Sequence, residues 1–184
     1  MNNGLIATRY ATALLEYSNG SSASDLVYTE AKAITQSFMQ FTALRTVLDN
    51  PVLAKVEKLK VVGMAAGGKL CKPLQKFIEL LLDKNREVHL QSIMLRYMEL
   101  YRKQQNIHSG KLTTAANVDN TTEKRLVSMI QSYTGGTVEI EKNVDPNILG
   151  GFQFEVDFVR WDASLKGQLQ RIKNDFIEKN KRVL

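Results

Sequence analysis

Gly63-Met64-Ala65-Ala66-Gly67-Gly68-Lys69 has the G-x-x-x-x-G-K spacing of a loop that gathers backbone amides and a lysine around nucleotide phosphates. Leu70 stands where that chemistry needs a Ser or Thr hydroxyl for magnesium. The residues before Gly63 have helical period, whereas a phosphate loop follows a buried strand. The segment is therefore expected to end a helix, with the glycines in left-handed cap positions and Lys69 in a solvated turn. Two carboxylate pairs, Glu139 with Glu141 and Asp157 with Asp162, are the nearest candidates for acid–base work. Glu139 and Glu141 alternate with Val138 and Ile140, which makes them the solvent side of a strand. Asp162 or Ser164 is placed to cap the helix that follows. Cys71 is the one cysteine, and with only His89 and His108 beside it no zinc-ligand spacing exists. Lys55, Lys58, Lys60, Lys69, Lys72 and Lys76 could mark a nucleic-acid footprint, but no RNA-binding aromatic strand or recognition-helix signature accompanies them. Trp161 reads as a packing residue. No catalytic residue, cofactor site or metal site is expected.

The chain has 184 residues, 43% of them hydrophobic, enough for one medium domain or two small ones. It has no run of about 18 apolar residues and no signal core at its start. A single cysteine fits a reducing compartment. The net charge is +6, and residues 1–105 hold most of it, with 14 Lys and Arg against 9 Asp and Glu. Residues 106–184 hold 11 against 10. This excess favours anionic partners without choosing among protein, nucleic acid and lipid.

Helical periodicity dominates the first part. Leu5, Ile6, Tyr10, Ala13, Leu14 and Tyr17 mark a first helix that breaks from Ser18, and Ser24 with Asp25 caps a second bearing Val27, Ala31, Ile34 and Phe38. That stripe continues loosely through Phe41, Leu44 and Leu48. Pro51 suits the first turn of a helix with Val52, Val56, Leu59 and Val62, and Pro73 opens one with Leu74, Phe77, Ile78, Leu81 and Leu82. A longer helix runs from about Val88 to Gln105. Consecutive short helices filling residues 1–105 imply a bundle.

Beyond Asn106 the period changes. Residues 112–118 look extended, 123–133 helical, and 137–142 alternate as a half-buried strand. Asp145-Pro146-Asn147-Ile148-Leu149-Gly150-Gly151 then turns into a strand over 152–159, and a last helix carries Leu165, Leu169, Ile172 and Phe176 on one stripe. The expected fold is mainly α with a smaller α/β part: a six-helix bundle over 1–105 and a mixed α/β domain over 106–184.

The stretch from Asp145 to Leu169 resembles the C-terminal signature of the delta subunit of F-type ATP synthase, the family of the mitochondrial oligomycin-sensitivity-conferring protein. Ile6-Ala7-Thr8-Arg9-Tyr10-Ala11-Thr12-Ala13-Leu14 resembles that family's opening helix. Asn50-Pro51, Phe77 to Leu82 with Asn85-Arg86, and His89-Leu90 to Ile93 with Tyr97 follow in the family's order. Trp161 and Ala163 depart from it, standing where an aliphatic residue and a glycine are more usual.

The resemblance implies a non-catalytic stator subunit. Its bundle would bind the N-terminal helix of an alpha subunit between the first and fifth helices, and its C-terminal domain would bind the peripheral-stalk b subunit. Tyr10, Ala11, Leu14, Phe77, Ile78 and Leu81 are the groove residues so implied, and Lys166, Leu169 and Arg171 the b-contact residues. A bulky charge at Ala11 is expected to block alpha docking without unfolding the bundle. The expected place is the cytoplasmic face of a bacterial membrane, held through partners and not lipid. The alternatives are a nucleotide enzyme and a basic helical nucleic-acid-binding protein.

Overall fold

The computed structural model describes residues 3–116, 120–156 and 159–181. Two compact units divide the chain, Met1–Gln105 and Asn106–Leu184. The first consists of α1 (Asn3–Gly20), α2 (Ser24–Gln40), α3 (Ala43–Asp49), α4 (Lys55–Ala65), α5 (Lys72–Asp83), a 3-10 turn at Glu87–His89, and α6 (Leu90–Gln104). Helix α6 is the spine. It buries Leu90, Ile93, Met94, Tyr97, Met98 and Tyr101, and both α1 and α2 pack along it. From α2 come Val27, Tyr28, Ala31, Ile34, Thr35 and Phe38.

Polar side chains fix the register of this packing. The Ser18 hydroxyl lies 3.2 Å from that of Tyr97, and the Tyr101 hydroxyl donates to Asp25 Oδ1 at 2.6 Å. Tyr101 stacks on Tyr28 with ring centroids 4.4 Å apart. Burial pushes the Tyr97 and Tyr101 hydroxyls up, so both remain protonated donors.

Three helices of this unit end in the same way. After α4, Gly68 N–H donates to Gly63 O at 2.9 Å and Gly67 N–H to Met64 O at 3.1 Å, with Gly67 at φ +102°. This is the Schellman motif, and it uses the amides that a phosphate loop would aim at a ligand. Asn85 at φ 51° does the same after α5, and Ser22 at φ 50° after α1.

Several boundaries differ from the sequence reading. Helix α1 continues through Ser18 to Gly20, because Ser18 belongs to its inward stripe. Phe41 is an exposed residue after α2, so Leu44 and Leu48 belong to the separate α3. Pro51 sits in a turn and α4 starts at Lys55, which leaves Val52 88% exposed and Val56 64% exposed. The buried face of α4 is Lys58, Val62 and Gly63.

Lys58 is 4% exposed. Its ammonium donates to the carbonyl of Leu48 at 2.6 Å, capping the end of α3, and pairs with Glu87 Oε1 at 2.7 Å. A lysine read as part of a surface footprint is thus an internal tie among α3, α4 and the 3-10 turn.

The second unit is built on a four-stranded sheet in the order β2-β1-β3-β4. Strand β1 (Ile107–Thr114) pairs in parallel with β2 (Thr137–Val144), the two being joined through α7 (Asn120–Thr134). Strand β3 (Phe152–Val156) pairs antiparallel with β1 and with β4 (Val159–Asp162), and α8 (Leu165–Lys181) follows. The extended stretch therefore begins earlier than its sequence pattern suggested and ends at Thr114, while residues 117 and 118 lie outside the described set. The single strand expected over 152–159 is two, with 157 and 158 also outside that set, Asp157 included. Leu112, Val138, Phe154 and Val156 form the core, with Ile140, Phe152 and Trp161 packed against it. Trp161 stacks on Phe154 at 5.6 Å, a packing role.

Removing one member of a buried ion pair strands the other, at a cost of about 3 kcal/mol or more. Lys58→Ala is accordingly expected to lower unfolding free energy by about that amount in urea titration, whereas Lys58→Met with Glu87→Leu should recover much of the loss.

Candidate functional site

Helix α1 carries two apolar stripes side by side. Ala7, Ala11, Leu14 and Ser18, at helical spacing, are buried, and α1 packs on α6. One position earlier, and so rotated by about 100°, lie Ile6, Tyr10, Ala13 and Tyr17. Of this second stripe Ala13 and Tyr17 are exposed, and Ile6 and Tyr10 are half-buried. On α5, Leu74, Ile78, Leu81 and Leu82 are buried, while Leu80 is 46% exposed beside Phe77.

The second stripe, Phe77 and Leu80 line an open groove of about 720 Å3. Arg9, Lys76, Lys84 and Arg86 complete its lining. Tyr10 and Phe77 meet edge to face, with centroids 6.3 Å apart and planes at 72°. From Ile6 to Tyr17 the floor runs about 16 Å, three turns of a helix.

Of the six residues first assigned to the groove, Tyr10 and Phe77 line it. Ala11, Leu14, Ile78 and Leu81 do not: each is at most 1% exposed and belongs to the inward stripe of its helix. A charge at Ala11 would enter the core, so the expectation that it blocks docking in a folded bundle is corrected. Ile6, Ala13, Tyr17 and Leu80 had not been assigned to the groove. Their signal was an apolar period one residue out of step with the core.

The second unit presents a different surface. Asp162 and Ser164 begin α8 as a cap: Asp162 Oδ1 accepts from Ser164 N–H at 2.9 Å, and Ser164 Oγ accepts from Gly167 N–H at 3.0 Å. The hydrogen bonds from the Ser164 hydroxyl and amide hold the Asp162 carboxyl below its ordinary value near 3.8, so the contribution of Asp162 to the cap is present above that pH and is lost as the pH falls through its lowered value. Leu165 N–H donates to Gly150 O, and Gly151 at φ +76° lies so close to Ala163 O that a Cβ would stand 2.2 Å away. The start of α8 is thus fixed against the glycine turn.

The rest of α8 keeps its apolar stripe uncovered. Leu169 is 59% exposed and Phe176 66%, with Leu165, Ile172 and Ile177 also exposed. Lys166 and Arg171 flank the stripe, and Arg171 donates to the Asp162 carbonyl at 3.2 Å.

The geometry offers little for chemistry. Burial, with Glu30 nearby, pushes the Cys71 thiol up to about 11, far from a thiolate at neutral pH. Among the described residues no cluster of three His, Cys, Asp or Glu could hold a metal ion. Lys58 is internal and Lys55 pairs with Asp83 at 2.8 Å, so the six lysines do not form one free anionic-ligand surface.

Residues 6–176 match the sequence model of the ATP synthase delta (OSCP) subunit family. The chain belongs to that family. It is 43% identical over 182 residues to ATP synthase subunit delta of Phocaeicola vulgatus, covering 98% of both chains. It is 40% identical over 186 residues to that of Bacteroides thetaiotaomicron, covering 100% of both. A chain of the cryo-EM structure of the Toxoplasma gondii mitochondrial ATP synthase hexamer superposes with a TM-score of 0.66 at 16% identity, covering 96% of this chain and 98% of that one. That likeness concerns the fold. Delta subunits are structural, non-catalytic and peripheral to a membrane-bound complex. No helix among the described residues of this delta-family chain is long and apolar enough to cross a membrane.

Ala11→Glu is expected to destabilise the bundle by about 3 kcal/mol or more, since it buries an unpaired carboxylate in a filled site. Thermal unfolding followed by circular dichroism would show it as a large fall in Tm.

Proposed function

We propose that this chain, a non-catalytic stator subunit of a proton- or sodium-translocating F-type ATP synthase, takes the N-terminal helix of an alpha subunit into the α1–α5 groove. Its α8 face binds the C-terminal part of the b subunit, with Lys166, Leu169 and Arg171 at that contact. The catalytic head is then tied to the peripheral stalk and does not turn with the rotor. The complex sits on the cytoplasmic face of a bacterial membrane.

The observation that carries the reading is the second stripe of α1. An open apolar floor three turns long, bounded by a second helix, is the shape that receives an amphipathic helix. The uncovered stripe of α8 supports the second contact, since a helix with Leu169 and Phe176 this exposed gains from apolar burial against a partner. Two modest contacts acting together hold far more firmly than either alone, which suits an adaptor under torque.

Calorimetric titration of the chain with a peptide of the same organism's alpha N-terminal helix should give saturable one-to-one binding. Ala13→Glu, exposed on the groove floor, should weaken it at least about tenfold without moving Tm, roughly 1.4 kcal/mol. Unchanged affinity would remove the groove from the alpha contact. For the other unit, Leu169→Glu with Ile172→Glu should abolish pull-down of the b C-terminal segment while leaving circular dichroism unaltered. Retained pull-down would exclude the α8 stripe.

A further inference from the structure

We propose that the α1–α5 groove selects a helix bearing carboxylates beside its apolar stripe, so that charge sets which helix docks; this rests on the reading of the groove as a helix-docking site. Every ionisable side chain lining the groove apart from tyrosine is a cation: Arg9 on α1, Lys76 and Lys84 on α5 or at its end, and Arg86 just beyond. All four are exposed, and none is in an ion pair among the described residues. The carboxylates that α1 and α5 do carry, Glu16, Glu79 and Asp83, are absent from the lining. Asp83 pairs with Lys55, and Glu79 accepts from Gln75.

The groove therefore presents an apolar floor inside a rim of four exposed cations, of which Lys84 also lies in the field of its neighbour Asp83. A helix with basic flanks meets like charge on both sides, while one with Asp or Glu at those positions gains up to four rim contacts and faster encounter. Phosphate-bearing polymers would satisfy the rim but leave Ile6, Ala13, Tyr17 and Leu80 uncovered, so the combined surface favours a peptide helix. Exposed pairs of this kind contribute little singly, and their sum is felt as salt dependence and partner choice more than as raw affinity.

The test uses the full chain and two synthetic peptides: the same organism's alpha N-terminal segment, and that segment with every Asp and Glu replaced by Asn and Gln. At about 50 mM salt the neutralised peptide should bind about tenfold more weakly, and at about 300 mM the gap should fall to about threefold or less. Lys76→Gln with Arg86→Gln should weaken the parent peptide and leave the neutralised one unaffected, as a double-mutant cycle requires. Equal binding of both peptides at both salt concentrations, or an alpha segment without flanking carboxylates, would overturn the charge selection and leave groove docking intact. Failure of both peptides to bind would overturn the two together. Stoichiometric displacement of the peptide by single-stranded RNA would overturn it in favour of a phosphate-binding surface.

Discussion

The burial of Ala7, Ala11, Leu14 and Ser18 of α1 against α6 is the constraint on which the first unit depends. Small residues at three of these four positions let the helices approach closely, and the Ser18–Tyr97 hydrogen bond pins the rotation of α1 about its axis. With that rotation fixed, the stripe one residue earlier has no choice of direction. It faces α5 and solvent, and because α5 spends its own inward stripe on the core, the space between them stays open. The groove is thus a consequence of core packing, and its residues are free to answer to a partner.

The second unit achieves the opposite arrangement by similar means. The glycine turn at Gly150 and Gly151, the Asp162 and Ser164 cap, and the backbone bond from Leu165 to Gly150 determine where α8 begins and which way it leaves the sheet. Past that anchor the helix has little of its own unit to pack on, and its apolar stripe remains in water. Hydrophobic exposure on this scale costs solubility and is retained where a partner covers it. Each unit consequently offers an apolar helical surface of a different kind, a concave floor in one and a convex stripe in the other.

Much of this is legible in the sequence. The turn, strand and capped-helix sequence from Asp145 to Leu169 and the opening motif from Ile6 to Leu14 pointed to the delta family, which the match over residues 6–176 shows. A mainly α fold with a smaller α/β part followed from the change of period near Asn106. The errors have physical causes. Pro51 reads as helix-opening, yet α4 starts at Lys55. Lys58 looks like a surface cation, and only tertiary contact with Glu87 and the Leu48 carbonyl makes it internal. Residues 152–158 alternate strictly and the alternation slips by one residue at Phe158-Val159, a single-residue mark of the reversal between β3 and β4 that is easily passed over as one continuous strand. Groove and core residues were mixed because both stripes of α1 are apolar and periodicity locates a face without saying what covers it.

Nuclear magnetic resonance mapping of the isotope-labelled full chain during titration with the alpha N-terminal helix would locate the docking surface. Shift changes should concentrate at Ile6, Tyr10, Ala13, Tyr17, Phe77 and Leu80, with the sheet residues Leu112, Val138 and Phe154 unmoved. Saturable binding whose shifts lie elsewhere, on α4 or α8 for example, would contradict docking in the groove.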